Sequence, residues 1–180
     1  MNIDIRRGRL HRLVIGLVWL ACASACGAGS VLGKGAVAPD VVGEGAAGEV
    51  VRLSDQHGKL AVVYFYPKDE TPGCTAEACA FRDAFLAYGK RGIVIFGISR
   101  DDAASHRVFR KAHKLPFVLV ADVDGKAQAS YGVPSRFWMA ARMTFLIDAE
   151  GKIARVWRDV DPGVHAKEIL EAAGTLSKPP

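Results

Sequence analysis

The sequence lacks several features that would each indicate a particular class of protein. It has no internal repeat, little low-complexity sequence, few cysteines and no apolar run of the length that crosses a bilayer comfortably. Half of its 180 residues are hydrophobic and 24% are charged. This composition excludes a disordered, collagen-like or coiled-coil chain. It fits one ordinary globular domain with enough apolar material for its own core.

The chain also lacks a strong excess of positive charge. Its net charge is +5, but four arginines and one aspartate within residues 1–25 account for three of those charges. The excess of two that remains is too small to indicate a polyanionic partner. We therefore expect no nucleic-acid partner.

Residues 1–25 are predicted to be a signal peptide. Arginines precede an apolar stretch, and residues 13–25 are too short to span the ~30 Å hydrocarbon layer comfortably. Residues 23–25 suit an ordinary signal peptidase, but followed by Cys26 they are also typical of a bacterial lipoprotein signal, in which the cysteine is lipidated. Both signals predict export to the bacterial periplasm or envelope, and we favour the lipoprotein signal. The chain would contact a membrane only through this lipid. A soluble periplasmic protein is the alternative.

The rest of the chain predicts an α/β fold. Residues 26–37 are glycine-rich and predict a tether, and residues 38–178 form the predicted domain. The domain alternates apolar strand patterns with amphipathic helix patterns, and it ends with a hairpin and a helix. The predicted strands are 60–66, 93–99, 117–121, 143–147 and 152–157, and the predicted helices are 76–88, 103–114 and 165–176. This order implies a thioredoxin-like fold with a central mixed sheet, parallel first and antiparallel at the edge, flanked by helices.

One of the two cysteines in the domain lies at a predicted helix start. Thr71 suits the N-cap and Pro72 the first helical position, which puts Cys74 in the first turn. Free N–H groups and the helix dipole favour an anion there, and the thiolate is the nucleophilic form of cysteine. A buried cysteine that merely packs is the alternative, but it would not explain the proline-flanked cap. The pattern predicts a reactive thiol.

Cys79 follows Cys74 after four residues. In an intact helix, five residues of ~1.5 Å rise separate these positions by roughly 7.5 Å along the axis, whereas a disulfide needs Cα atoms about 4.4–6.8 Å apart. The two cysteines can therefore bond only if the first turns of the helix unwind. This favours a disulfide formed during a catalytic cycle over a static one across an irregular segment.

These motifs resemble the active-site signature of peroxiredoxins of the AhpC/TSA superfamily. Pro67, Thr71, Cys74 and Cys79 have the spacing of the bacterioferritin-comigratory, or Q-type, subgroup. Further segments match that subgroup in order: residues 38–40, 65–68, 97–99, 115–117, 131–133 and 142–148. The glycine-rich residues 43–48 depart from the more polar hairpin usual in the family.

The resemblance implies a thiol peroxidase that reduces hydrogen peroxide and organic hydroperoxides in antioxidant defence. By resemblance, Cys74 attacks the peroxide and Cys79 resolves the sulfenic acid, Thr71 binds the peroxide, Pro67 shields the thiolate, and Arg142 faces the sulfur. Glu77 also matches, but a first-turn glutamate can simply complement the helix dipole. We expect no cofactor, a monomer, and a thioredoxin-like dithiol as reductant. Export would put cytosolic thioredoxin out of reach.

Three other functions compete with this hypothesis. An exported copper-binding or copper-delivering protein of the same fold would use the cysteines with a histidine, but His57, His106, His113 and His165 are distant in sequence and are expected at the surface. A disulfide oxidoreductase normally has two residues between its cysteines, not four. A non-catalytic binding domain would leave the cysteine spacing unexplained.

Overall fold

The computed structural model describes residues 30–176. Its elements, in chain order, are β1 (Val42–Glu44), β2 (Val50–Arg52), a 3-10 turn (Ser54–Gln56), β3 (Ala61–Phe65), α1 (Pro72–Lys90), β4 (Val94–Ser99), α2 (Ala103–His113), β5 (Val118–Ala121), α3 (Lys126–Ser130), β6 (Ser135–Arg136), β7 (Met139–Ala140), β8 (Met143–Ile147), β9 (Ile153–Trp157) and α4 (His165–Leu176).

Seven strands form one mixed sheet in the order β2-β1-β5-β4-β3-β8-β9. Strands β3, β4 and β5 are parallel, and β8 and β9 add antiparallel strands at one edge, as the sequence predicts. The hairpin β1–β2 pairs antiparallel with β5 and makes the other edge antiparallel too. The expected mixed sheet flanked by helices is confirmed.

The core lies on both faces of the sheet. Alternate residues of β3 point to opposite faces, as in any strand: Val62 and Tyr64 pack in a cluster with α1 and α4, while Val63 and Phe65 pack in the other cluster. A strand buried on both faces has to be apolar at every position. This is why residues 60–66 form a continuous apolar run in the sequence. Within residues 30–176, no helix combines the length and apolarity that a membrane crossing requires.

The described part of the predicted tether is packed against the domain. Leu32 donates its backbone N–H to the carbonyl of Tyr131 at 3.1 Å, and Gly35 donates to that of Ile153 at 2.7 Å. Val31 and Leu32 also pack on the apolar cluster beside β3. The predicted tether therefore contacts the domain from residue 31 onward, where Val31 and Leu32 have apolar side chains to bury. Residues 1–25, Cys26 and residues 177–178 lie outside the described residues.

Candidate active site

Strand pairing brings two distant segments together at one end of the sheet. Strand β3 runs antiparallel to β8 with Phe65 opposite Met143. Pro67 follows the end of β3, and Arg142 immediately precedes β8. The loop that leads into α1 and the Arg142 side chain therefore meet at this edge. A cavity of about 660 Å³ opens there, with Pro67 and Arg142 among its lining residues.

Cys74 lies in the first turn of α1, as predicted. Thr71 is the N-cap in an extended conformation and Pro72 is the first helical residue. The carbonyl of Thr71 accepts the backbone N–H of Thr75 at 2.8 Å, so the N–H groups of Gly73 and Cys74 precede the first helical hydrogen bond. Cys74 is only 1% exposed. Its sulfur thus lies inside the protein at the positive end of a helix.

Arg142 contacts the sulfur directly. Its Nη2 donates to Cys74 Sγ at 3.2 Å. A Cβ at Gly73 would lie 3.4 Å from the same nitrogen, in ordinary van der Waals contact. Burial by itself would lower the pKa of the Arg142 guanidinium, but the charges of Glu77 and Cys74 and hydrogen bonds to both hold it above its ordinary value. A permanent cation therefore faces the sulfur.

Glu77 has a larger role than the sequence indicated. Its carboxylate accepts a hydrogen bond from Arg142 Nη1, and it is 1% exposed instead of lying at the helix surface. Its second oxygen, Oε1, is buried and has no hydrogen-bond partner. Burial raises the pKa of Glu77 to about 7, against the opposing influence of the Arg142 charge. Glu77 thus orients the guanidinium, although burial makes the ionised form of Glu77 itself unfavourable.

Thr71 has an oriented hydroxyl group. Its Oγ1 donates to the carbonyl of Lys68 at 3.0 Å, and it makes no side-chain cap hydrogen bond to α1. Sequence reasoning therefore found the cap position correctly but not the hydrogen bond. Because the hydroxyl proton points to Lys68, the lone pairs of Oγ1 are free to accept a hydrogen bond from a ligand.

Asp69 holds the loop before α1, and sequence reasoning missed it. It is 4% exposed, and its carboxylate accepts hydrogen bonds from Tyr66 Oη at 2.8 Å and Ser105 Oγ at 2.7 Å. His106 Nδ1 lies 2.9 Å from the same carboxylate. Burial alone would raise the pKa of Asp69, but the hydrogen bond and charge of His106, with the two hydroxyls, hold it below its ordinary value. The loop is therefore fixed to α2.

The resolving-cysteine candidate, Cys79, lies on the same unbroken helix as Cys74. Both are free thiols, Cys74 buried and Cys79 partly exposed. Helix α1 runs without interruption from Pro72 to Lys90. The structure therefore brings together Pro67, Thr71, Cys74 and Arg142, but it leaves Cys79 outside this group.

The four histidines in the described part of the chain do not form a metal site. Within residues 30–176, no group of three or more His, Cys, Asp or Glu side chains is arranged to hold a metal ion. The expectation of surface histidines is wrong for two of the four: His106 is 4% exposed and His165 is fully buried. His106 is held by Asp69, and His165 Nε2 lies 2.7 Å from Thr144 Oγ1. Each ring is thus buried in a hydrogen-bonded position inside the fold.

Comparison with known proteins identifies a consistent set of relatives. The AhpC/TSA family model matches residues 34–156. Peroxiredoxin Bcp of Bacillus subtilis is 40% identical over 151 residues, which cover 80% of this chain and 96% of the relative. The chloroplastic peroxiredoxin Q of Triticum aestivum is 42% identical over 146 residues, or 79% of this chain and 67% of the relative.

Solved structures give the same result. Peroxiredoxin Q of Xanthomonas campestris superposes with a TM-score of 0.71 at 32% identity, covering 77% of this chain and 92% of that one. Peroxidoxin BcpB of Mycobacterium tuberculosis superposes with a TM-score of 0.73 at 28% identity, covering 81% and 98%.

Proposed function

Since the chain belongs to the AhpC/TSA family and is a thiol peroxidase of the peroxiredoxin type, we propose that Cys74 is its peroxidatic cysteine and Cys79 its resolving cysteine. The hydrogen bond of 3.2 Å from Arg142 Nη2 to Cys74 Sγ is the observation that carries the proposal. With the helix N-terminus, it provides two sources of positive charge at one sulfur. Both stabilise the thiolate, which is the reactive form.

The first step consumes the hydroperoxide. The Cys74 thiolate attacks the terminal peroxide oxygen, an S–O bond forms as the O–O bond breaks, and the oxygen that leaves takes a proton to become water or an alcohol. Cys74 is then a sulfenic acid. Arg142 stabilises the charge that develops on the leaving oxygen. Thr71 Oγ1 accepts a hydrogen bond from the hydroperoxide O–H, because its own proton is donated to the carbonyl of Lys68, and the hydroperoxide proton stays on the oxygen that Cys74 takes up.

The second step forms a disulfide. The Cys79 thiolate attacks the Cys74 sulfenic sulfur, an S–S bond forms and hydroxide leaves as water after protonation. Both positions lie on α1, so the first turns must unwind to bring the Cα atoms within disulfide range. A thioredoxin-like dithiol then reduces the disulfide by exchange and is itself oxidised. This cycle needs no metal, haem or flavin.

The location of this activity follows from the leader sequence alone. An exported chain, lipidated at Cys26 or released after residue 25, would meet peroxides in the periplasm or envelope. Its reductant would then be a thioredoxin-like protein of that compartment. We also predict that the protein acts as a monomer.

Peroxide consumption by three proteins tests the mechanism. Wild type should turn over with a dithiol donor, Cys74→Ser should be inactive, and Cys79→Ser should react once and stop as a sulfenic acid. Trapping with a sulfenic-acid reagent identifies that species by mass, and an external thiol should restore turnover. Equal activity in all three proteins would refute the proposal. Exported copper delivery, the alternative function, is not favoured because the relatives of this chain are peroxiredoxins.

A further inference from the structure

The hairpin that joins β6 and β7 has an unusual turn. Arg136 pairs with Met139, so Phe137 and Trp138 are its two central residues. Both have positive φ angles, 47° and 67°. Two-residue turns with positive φ at both positions favour Asn-Gly and similar pairs, because a bulky side chain is strained there. The sequence thus places two aromatic residues where backbone energetics disfavour them.

The same two side chains are exposed. Phe137 is 91% exposed and Trp138 is 84% exposed. Other exposed hydrophobic residues of the described chain, such as Leu86 on α1, are aliphatic. Backbone strain and exposed aromatic surface both cost stability, so packing within the domain does not explain this turn. Backbone strain and exposed aromatic surface that packing does not require are typical of functional sites.

The surroundings of the turn are basic. Arg136 and Arg158 are exposed, and both line the cavity that Pro67 and Arg142 also line. Asp159 is the one acidic residue in that lining. Phe137 lines the same cavity, so the face that carries the opening near Cys74 presents two exposed aromatic side chains, with arginines beside them.

We propose that the Phe137–Trp138 turn inserts into the surface of an anionic lipid bilayer. Tryptophan and other aromatic side chains favour the membrane–water interface, and neighbouring arginines are attracted to anionic headgroups. The arginines would repel one another across an interface between two copies that used this face. A Phe and a Trp bury only about 150–250 Å² each, well below the about 800 Å² that each partner contributes to a stable protein interface.

With the Phe137–Trp138 turn inserted in the bilayer surface, the active-site cavity next to Arg142 would face the membrane. Hydroperoxides that collect at the bilayer surface would then reach Cys74 without crossing bulk water. This consequence rests on the proposed peroxidase function, but the docking itself does not.

Tryptophan fluorescence tests the docking directly. In the full chain with Trp19→Phe, the remaining tryptophans are Trp138 and Trp157, and Trp157 is 8% exposed in the core. Vesicles of phosphatidylglycerol and phosphatidylcholine with brominated acyl chains should shift the emission to shorter wavelength and quench it. A further Trp138→Phe substitution should abolish both effects. Emission that is unchanged by these vesicles would overturn the proposal.

Matched variants identify which side chains contribute to the binding of vesicles. Phe137→Ser should reduce the quenching strongly, whereas Leu86→Ser, at a site 80% exposed, should leave it unchanged. Arg136→Gln with Arg158→Gln should weaken the preference for anionic over neutral vesicles on the order of tenfold or more. Equal losses in the Phe137 and Leu86 variants would contradict the proposal.

Two controls separate this proposal from its alternatives. Cys74→Ser should be quenched as wild type is, so that a failure of the peroxidase mechanism would not affect the result. If the emission of Trp138 instead shifts with protein concentration in the absence of lipid, and sedimentation shows dimers, the turn is an interface between copies and the membrane proposal is wrong.

Discussion

Arg142 and Glu77 form an ion pair in which Glu77 is buried and Arg142 is partly exposed, although 65 residues separate them in the chain. Only one oxygen of the Glu77 carboxylate takes part in this ion pair, because Oε1 has no hydrogen-bond partner. The same guanidinium also donates to Cys74 Sγ. Glu77 and Cys74 thus share one cation, and the protonation of Glu77 affects both the stability of the fold and the charge available to the sulfur.

We predict that ionisation of Glu77 lowers the stability of the fold as pH rises, while His165, whose pKa is lowered by burial, contributes in the opposite direction over the same range. The carboxyl ionises near 4.5 when unfolded and near 7 when folded. Its contribution is therefore fully present below 4.5 and is lost as pH rises through 7. At about 1.4 kcal/mol per pKa unit, the contribution of Glu77 to the free energy of unfolding should drop by roughly 2–3 kcal/mol between pH 5 and pH 8, as the difference in pH dependence between wild type and Glu77→Gln. Urea titrations at both values measure it.

Glu77→Gln should remove most of this pH dependence, since an amide does not ionise. The control is Glu171→Gln on α4, where the side chain is exposed and the slope should remain that of wild type. An unchanged slope in the Glu77 variant would mean that the carboxylate is adequately stabilised by Arg142.

Arg142→Met should slow the reaction of Cys74 with hydrogen peroxide on the order of 10²–10³-fold, comparable to losing one donor that stabilises a developing negative charge. Arg142→Lys should recover only part of the rate, because one ammonium cannot hold Glu77 and Cys74 in the planar fork of a guanidinium. Single-turnover loss of the thiol, measured by rapid alkylation, gives both rates. Arg52→Met, at an exposed arginine on β2, should react as wild type does.

Asp69→Asn should release the loop before α1. An amide can accept hydrogen bonds only through its oxygen, whereas the carboxylate contacts Tyr66, Ser105 and His106. We expect a loss of about 2–4 kcal/mol in the free energy of unfolding, together with slower oxidation of Cys74. Urea titration measures the first, and single-turnover kinetics the second. Asp55→Asn, at an exposed aspartate of the 3-10 turn, is the control for both.

Acid sensitivity gives a second measurement for Asp69. Its pKa is held below the ordinary value of 3.8, so its stabilising contribution is present above 3.8 and is lost as pH falls through the lower folded value. The Asn variant should therefore lose less stability on acidification than wild type does. A steeper acid transition in the variant would contradict this assignment.

The helices and strands that could be predicted are those that a short stretch of sequence determines. Strands β3, β4 and β8 are apolar runs because both faces of a central strand are buried. Thr71 and Pro72 mark the start of α1 through capping chemistry. In contrast, α3 has only five residues and follows a Gly125 N-cap that has no side chain. The β6–β7 turn was also missed, because Phe137 and Trp138 are the opposite of a turn signal.

The site was predictable only where its residues are close in sequence. Thr71 and Cys74 could be recognised from their spacing at a helix start. Arg142 was found by resemblance alone, because its position depends on the pairing of β3 with β8. Asp69, in a polar loop, looks like an exposed residue. Its burial depends on the contact with His106 of α2, and the sequence alone gives no indication of that contact.

Unwinding of α1 can be tested without touching a catalytic residue. Ala76 is an exposed position between the two cysteines, and Ala87 is an exposed position on the same helix beyond them. Glycine in place of alanine should cost each helix segment about 1 kcal/mol. In Ala76→Gly this cost favours the unwound form, so disulfide formation after one equivalent of peroxide should be about fivefold faster.

Ala87→Gly has the same intrinsic cost but does not lie in the segment that must open, so its disulfide should form at the wild-type rate. Rapid acid quenching, alkylation and mass spectrometry measure both variants. Parallel samples treated with excess peroxide report sulfinic acid, which forms when a second peroxide oxidises the sulfenic acid before Cys79 reaches it. Ala76→Gly should accumulate less of it. If the two glycine variants form the disulfide equally fast, the opening of the first turns is not what limits the reaction, and Cys79 reaches Cys74 by another movement.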